Sequence, residues 1–149
     1  MKDGYVQALN IFKDKSDPAE VNRVMRMGDN CVNYAHDFYG FLEQYLHLSK
    51  IIPKDWYIID FGCAAGFQSV FFKKHRGYIG VDHAFSLKAR YQTGNSFYFK
   101  CTIEKFIEKN LYDKLDLSKT FAICNYVPSK AGMEQIRKIF PNLFIYYPS

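Results

Sequence analysis

The chain has 149 residues, 48% hydrophobic and 23% charged, with a formal net charge of +5. This balance fits one globular domain over residues 1–149 with a real core, and it excludes general disorder. No apolar run approaches the ~20 residues of a membrane helix, and MKDGYVQALN at the start has no apolar signal core. A cytoplasmic protein without membrane contact is the expectation.

Residues 1–52 read as an N-terminal helical segment. Asp17-Pro18 predicts a short helix over Ala19 to Met27, with Asp17 as its N-cap. Val32, Ala35, Phe38, Tyr39, Leu42, Tyr45 and Leu46 then recur at three- and four-residue spacing, predicting an amphipathic helix.

Residues 53–149 read as a sheet core. Tyr57, Ile58 and Ile59 form a strand covered on both faces. A small-residue loop follows, then a helix from about Phe67 to His75, capped at its far end by Gly77, then a strand over Tyr78 to Asp82. Ala84 to Tyr91 suits a short helix, and Thr93-Gly94-Asn95 a turn. Ser96 to Cys101 is the third strand, after which Thr102 caps a helix bearing Ile103, Phe106, Ile107 and Leu111. Thr120 to Asn125 is the fourth strand. Ser129 caps a helix with Met133, Ile136, Ile139 and Phe140, and Asn142 to Tyr147 is the fifth strand. Strands alternating with helices predict an α/β fold: a doubly wound parallel sheet of about five strands, with helices on both faces.

The stretch after the first strand carries the chemistry. Gly62, Ala64 and Gly66 stand at alternate positions, where small residues let the backbone turn sharply and approach a ligand. Asp82 follows twenty residues beyond Gly62, the separation at which a strand-tip carboxylate meets an adenosine ribose. A dinucleotide fingerprint in this register needs a small third residue and meets Phe67. The alternative pattern, an acid followed by three small residues at alternate positions, is met by Asp60, Gly62, Ala64 and Gly66. A purely structural turn is the bland alternative for the loop, and a local helix cap is the one for Asp82.

On these residues the chain resembles the class I S-adenosylmethionine-dependent methyltransferases. DFGCAAG is similar to their first motif, with alanine in the usual middle glycine position, and Gly80 to Asp82 to the acidic end of their second strand. CAAG also resembles the CAPG-type loop of some RNA methyltransferases. The resemblance implies S-adenosylmethionine as cofactor, with Asp60 supporting the loop and facing the methionine amino group. It implies a cofactor site built from Asp60, Gly62, Cys63, Ala64, Gly66, Asp82, His83 and Thr102, with His83 and Thr102 (or Cys101) beside the adenine. Asn125-Tyr126-Val127-Pro128 loosely resembles the Asn-Pro-Pro-Tyr motif of enzymes that methylate exocyclic nitrogens, which makes Asn125 and Tyr126 the catalytic candidates. The methyl acceptor, a small molecule or nucleic acid, stays open. A binding module without transfer, another nucleotide binder and an interaction protein are the alternatives.

Cys31, Cys63, Cys101 and Cys124 lack C-x-x-C spacing, and the four histidines form no ligand pair, so reduced thiols and no metal are expected. Lys73, Lys74, His75 and Arg76 form the densest basic cluster, read first as a solvated face. The resemblance implies a Rossmann-like sheet of five strands in order 3-2-1-4-5 with the fifth at an edge, because nothing after that strand supplies the antiparallel hairpin of the resembled family. The apolar edge Leu143 to Tyr146 therefore needs cover, from residues 1–28 or from a second copy in a twofold dimer. The polar character of residues 1–28 favours the dimer.

Overall fold

A computed structural model describes residues 44–64, 66–84, 86–125 and 130–146. Residues 44–51 are helical (α1). The strands are β1 Tyr57–Phe61, β2 Gly77–Val81, β3 Ser96–Phe99, β4 Thr120–Asn125 and β5 Leu143–Tyr146. Helix α2 spans Ile103–Glu108 and α3 spans Lys130–Ile139. All four strand pairings are parallel, and the order is β3-β2-β1-β4-β5, a Rossmann-like arrangement. The predicted helix over Ala19 to Met27, most of the Val32 to Leu46 helix and the Ser129 cap lie outside the described residues.

Alternation along the strands divides the core into two layers. Ile59 and Phe61 of β1, Ile79 and Val81 of β2, and Ala122 and Cys124 of β4 pack with Phe106, Ile136 and Phe140. Phe61 meets Phe106 and Phe140 edge-on, with ring centroids 5.5 and 5.7 Å apart. Ile58, Tyr78 and Ile123 face the other way, onto Tyr45, Leu48 and Ile52 of α1 and its exit, and onto Phe72. The sheet is thus covered on both sides, as its near-continuous apolar strands require.

Two crossovers differ from expectation. The segment after the β1 loop is a 3-10 helix, Phe67–Phe72, and the one after β2 is a 3-10 turn, Leu87–Ala89. Three consecutive side chains, Gln68, Ser69 and Val70, are buried; at three residues per turn they point to all sides, so the segment is enclosed and shows no amphipathic stripe. No side chain caps the segment's start either, since Gly66 occupies the N-cap in a left-handed conformation. Gly77 is the first residue of β2, with the Tyr57 ring against its Cα, and not a helix cap. Helix α2 begins at the Thr102 cap as expected but stops at Glu108, where Asn110 turns out of the helix with φ of 50°.

The edge strand β5 is less exposed than its composition suggests. Leu143 and Ile145 pack on one core layer and Phe144 on the other. At the opposite edge, Phe97 of β3 is 59% exposed.

Gly80 sits opposite Asp60 in the β1–β2 register, and its missing side chain is filled by others. A Cβ there would meet the Tyr98 ring at 2.6 Å and Cys63 Sγ at 2.7 Å. Gly80→Ala should therefore destabilise the fold by about 1–3 kcal/mol in urea denaturation, the cost of overpacking a filled core. An unchanged midpoint would show that Tyr98 does not occupy this space.

Candidate functional site

In a doubly wound sheet the ligand crevice lies outside the carboxyl ends of the strands, where the order reverses, here between β1 and β4. The β1 loop, the β2 tip and the end of β4 meet at this edge, since Phe61 is in register with Val81 and with Cys124.

The loop is shaped by its own backbone. Gly62, Ala64 and Gly66 have φ of 80°, 53° and 76°, so all three of the small residues adopt left-handed conformations. For Gly62 and Gly66 this carries no penalty; for Ala64 it is strained and needs outside support. Gly62 N and Cys63 N donate to Val81 O at 2.8 and 3.3 Å, and Gly66 N donates to Cys63 O at 3.0 Å. Ala64 N donates to Asp82 Oδ2 at 2.9 Å, and this charge-assisted bond holds the strained residue. The other Asp82 oxygen accepts from Ala84 N at 2.8 Å in a local turn, whereas the next helical turn is capped by Ser86 and not by Asp82.

Gly66 needs its bare Cα for a reason internal to the protein. A Cβ there would lie 2.3 Å from the Tyr98 hydroxyl, which donates to Gly66 O at 3.3 Å and Tyr91 O at 2.5 Å. Arg90 reinforces the same corner. Its guanidinium donates to Ser86 O and Asp82 O and lies 5.7 Å from the centroid of the Tyr98 ring.

Asp60 lies beneath the loop with no solvent exposure. Oδ1 accepts from Tyr45 of α1 at 2.7 Å; Oδ2 accepts from Gln68 Nε2 at 2.7 Å and from the Tyr78 hydroxyl of β2. Gln68 Nε2 also donates to Cys63 O at 2.9 Å, so Asp60 supports the loop through this amide. Burial pushes the Asp60 carboxyl up to about 6, against the hydrogen bonds from Tyr78, Gln68 and Tyr45 that favour its charged form.

Cys63 is fully buried, and burial raises its thiol far above the usual range, so it fills space and is not an activated nucleophile. His83 is exposed beside Asp82, and Thr102 caps α2 by accepting from Lys105 N at 3.1 Å. Asn125 ends β4 at the crevice edge, in register with Tyr146, while Tyr126 lies outside the described residues. Among the described residues no group of His, Cys, Asp or Glu is placed to hold a metal, and no helix is long and apolar enough to cross a membrane.

A nucleoside fits Asp82. Each carboxylate oxygen has spent one acceptor site on a backbone N–H and keeps another, enough for a vicinal diol, and the residue is half-exposed. An amino group does not fit Asp60 directly, because three side-chain donors enclose it. Tyr45, Gln68, Tyr78, Tyr98 and Arg90 are the site's unforeseen members. Tyr45 and Tyr78 read only as core positions in the sequence; no local motif marks the others.

The folded Asp60 carboxyl titrates above its unfolded value of 3.8, so its stabilising share is full below that value and is lost as pH rises through about 6. Between about pH 4 and pH 7 this group should remove on the order of 3 kcal/mol of unfolding free energy. Asp60→Asn should flatten that part of the pH profile in urea denaturation. Parallel profiles for the two proteins would show that Asp60 is not enclosed.

Comparison with known proteins adds no family: no protein-family model matches the chain, and no curated protein matches it.

Proposed function

We propose that the crevice at the ends of β1, β2 and β4 binds S-adenosylmethionine, and that the protein is a methyltransferase. The observation that carries this reading is the pairing of Asp82 with the β1 loop. One strand-tip carboxylate fixes the left-handed loop and retains acceptor capacity for both ribose hydroxyls. The sheet order places this pair at the switch between β1 and β4, where doubly wound folds take nucleotide-like ligands.

The cofactor supplies an already activated methyl group, so the protein's share is alignment. Asp82 would hold the ribose, and the Gly62 to Gly66 loop would line the crevice. Asn125 and Tyr126, at the exit of β4, are the residues proposed to face the acceptor. The acceptor class, small molecule or nucleic acid, and pairing of two copies through β5 stay with this proposal.

One observation favours a second reading. Asp60 is spent on Tyr45, Gln68 and Tyr78, which leaves no carboxylate under the loop free for a methionine amino group. A module that binds an adenosine moiety without transferring methyl groups would need only Asp82. Transfer of labelled methyl from S-adenosylmethionine to any acceptor excludes this second reading.

Asp82→Ala should weaken S-adenosylhomocysteine binding at least tenfold by calorimetry. The charge-assisted bonds lost are each worth ~1.5–3 kcal/mol. The circular dichroism of the variant should stay that of the parent protein. Equal affinity in the two proteins would remove the ribose assignment and with it the proposed function.

A further inference from the structure

The other end of the sheet carries a second feature, independent of the crevice. The exit of α1 and the lead into β1 hold Lys50 and Lys54; the lead into β2 holds Lys73, Lys74 and Arg76. All five are exposed. Hydrogen bonds fix the two loops side by side: His75 Nε2 donates to Ile52 O at 3.0 Å, and Arg76 N donates to Trp56 O at 3.2 Å. Asn95 braces the second loop, its Nδ2 donating to Phe72 O and His75 O at 3.0 and 2.8 Å.

The one carboxylate within these loops, Asp55, is 3.6 Å from Lys119, itself a further cation on this side. Arg76 lies 5.1 Å from the centroid of the Tyr57 ring, which holds its guanidinium in place, and Asp116 bears on it from the lead into β4. His75 adds no charge, because burial holds its imidazole below the usual range and Lys54 pushes the same way. The result is a braced ridge of net positive charge, with half-buried Trp56 packed on the inner core layer where its backbone joins the two loops.

We infer that this face binds the sugar–phosphate backbone of a nucleic acid. Cations on two braced loops match a repeating phosphate charge, and half-exposed Trp56 offers a surface for base stacking. A membrane surface fits less well: of the large apolar side chains strongly exposed among the described residues, only Ile51 lies in these loops. The face lies at the amino ends of β1 and β2, roughly 16 Å of strand away from the crevice. Binding here therefore stands or falls separately from the proposed cofactor site.

Fluorescence anisotropy with a labelled mixed-sequence oligonucleotide, as RNA and as DNA, tests the assignment. Affinity should fall steeply between about 50 and 200 mM salt, with a log–log slope of roughly −4 for a duplex meeting these cations. Lys73→Glu with Lys74→Glu should lower affinity at least tenfold and reduce the slope by about 2. Lys50→Glu with Lys54→Glu should do the same, and the Gln doubles should act in the same direction if a Glu pair disturbs folding. Lys100→Glu with Lys105→Glu, exposed at the carboxyl end of β3 and the start of α2, should leave binding unchanged, and S-adenosylhomocysteine affinity should match the parent in the lysine variants of the basic face. Equal losses in the Lys100/Lys105 control, a flat salt response, or tighter binding to phosphatidylserine vesicles than to any oligonucleotide would overturn the inference.

Discussion

A single buried carboxylate organises the half of the molecule that builds the crevice. Asp60 lies in β1 with no solvent around it and draws one donor from each of three elements: Tyr45 from α1, Gln68 from the 3-10 segment and Tyr78 from β2. A buried charge is costly unless it is fully hydrogen-bonded, so the three donors and the acid depend on one another. The position of α1 over the sheet, the inward turn of Gln68 and the support of the loop at Cys63 O follow from meeting that requirement.

A second carboxylate works at the surface of the same corner. Asp82 clamps the strained Ala64 and the turn at Ala84, and Arg90 holds its carbonyl from behind. Gly62, Cys63, Ala64 and Gly66 are thus each held by protein contacts. Preorganisation of this kind lowers the ordering cost of binding. The two acids differ in what remains open to them: Asp82 is half-exposed with unused acceptor sites, whereas Asp60 is enclosed. Asp82 therefore suits the proposed hold on a ribose, whereas Asp60 is closed to a methionine amino group.

Most of the fold was legible in the sequence because the strands are short apolar runs broken by polar loops. Tyr57 to Ile59, Ser96 to Phe99 and Thr120 to Asn125 are such runs, and their alternation with helical segments implies a parallel sheet, while its order followed from the family resemblance. The helices were less legible where tertiary contacts overrode periodicity. Phe67 to Phe72 has the apolar content of a helix, yet its burial pattern is not a stripe. The loop glycines and Asp82 were found by spacing, but the reason for Gly66 was not. Its neighbour Tyr98 is 32 residues away, and no local pattern signals that a distant ring will fill the space. Likewise, Tyr45, Gln68 and Tyr78 join Asp60 across 15, 8 and 18 residues, contacts that only the folded sheet creates.

The molecule therefore has two ends of different character: carboxylates and left-handed backbone at the carboxyl ends of β1 and β2, and a cluster of exposed lysines at their amino ends. The claim that the first is a nucleoside site is tested most directly by mapping the ligand onto the backbone. Amide spectra of isotopically labelled protein, titrated with S-adenosylhomocysteine, should shift first at Gly62, Cys63, Ala64, Gly66, Asp82 and Ala84. Shifts confined to Lys50 through Trp56 and Lys73 through Arg76, or none at saturating ligand, would contradict the account.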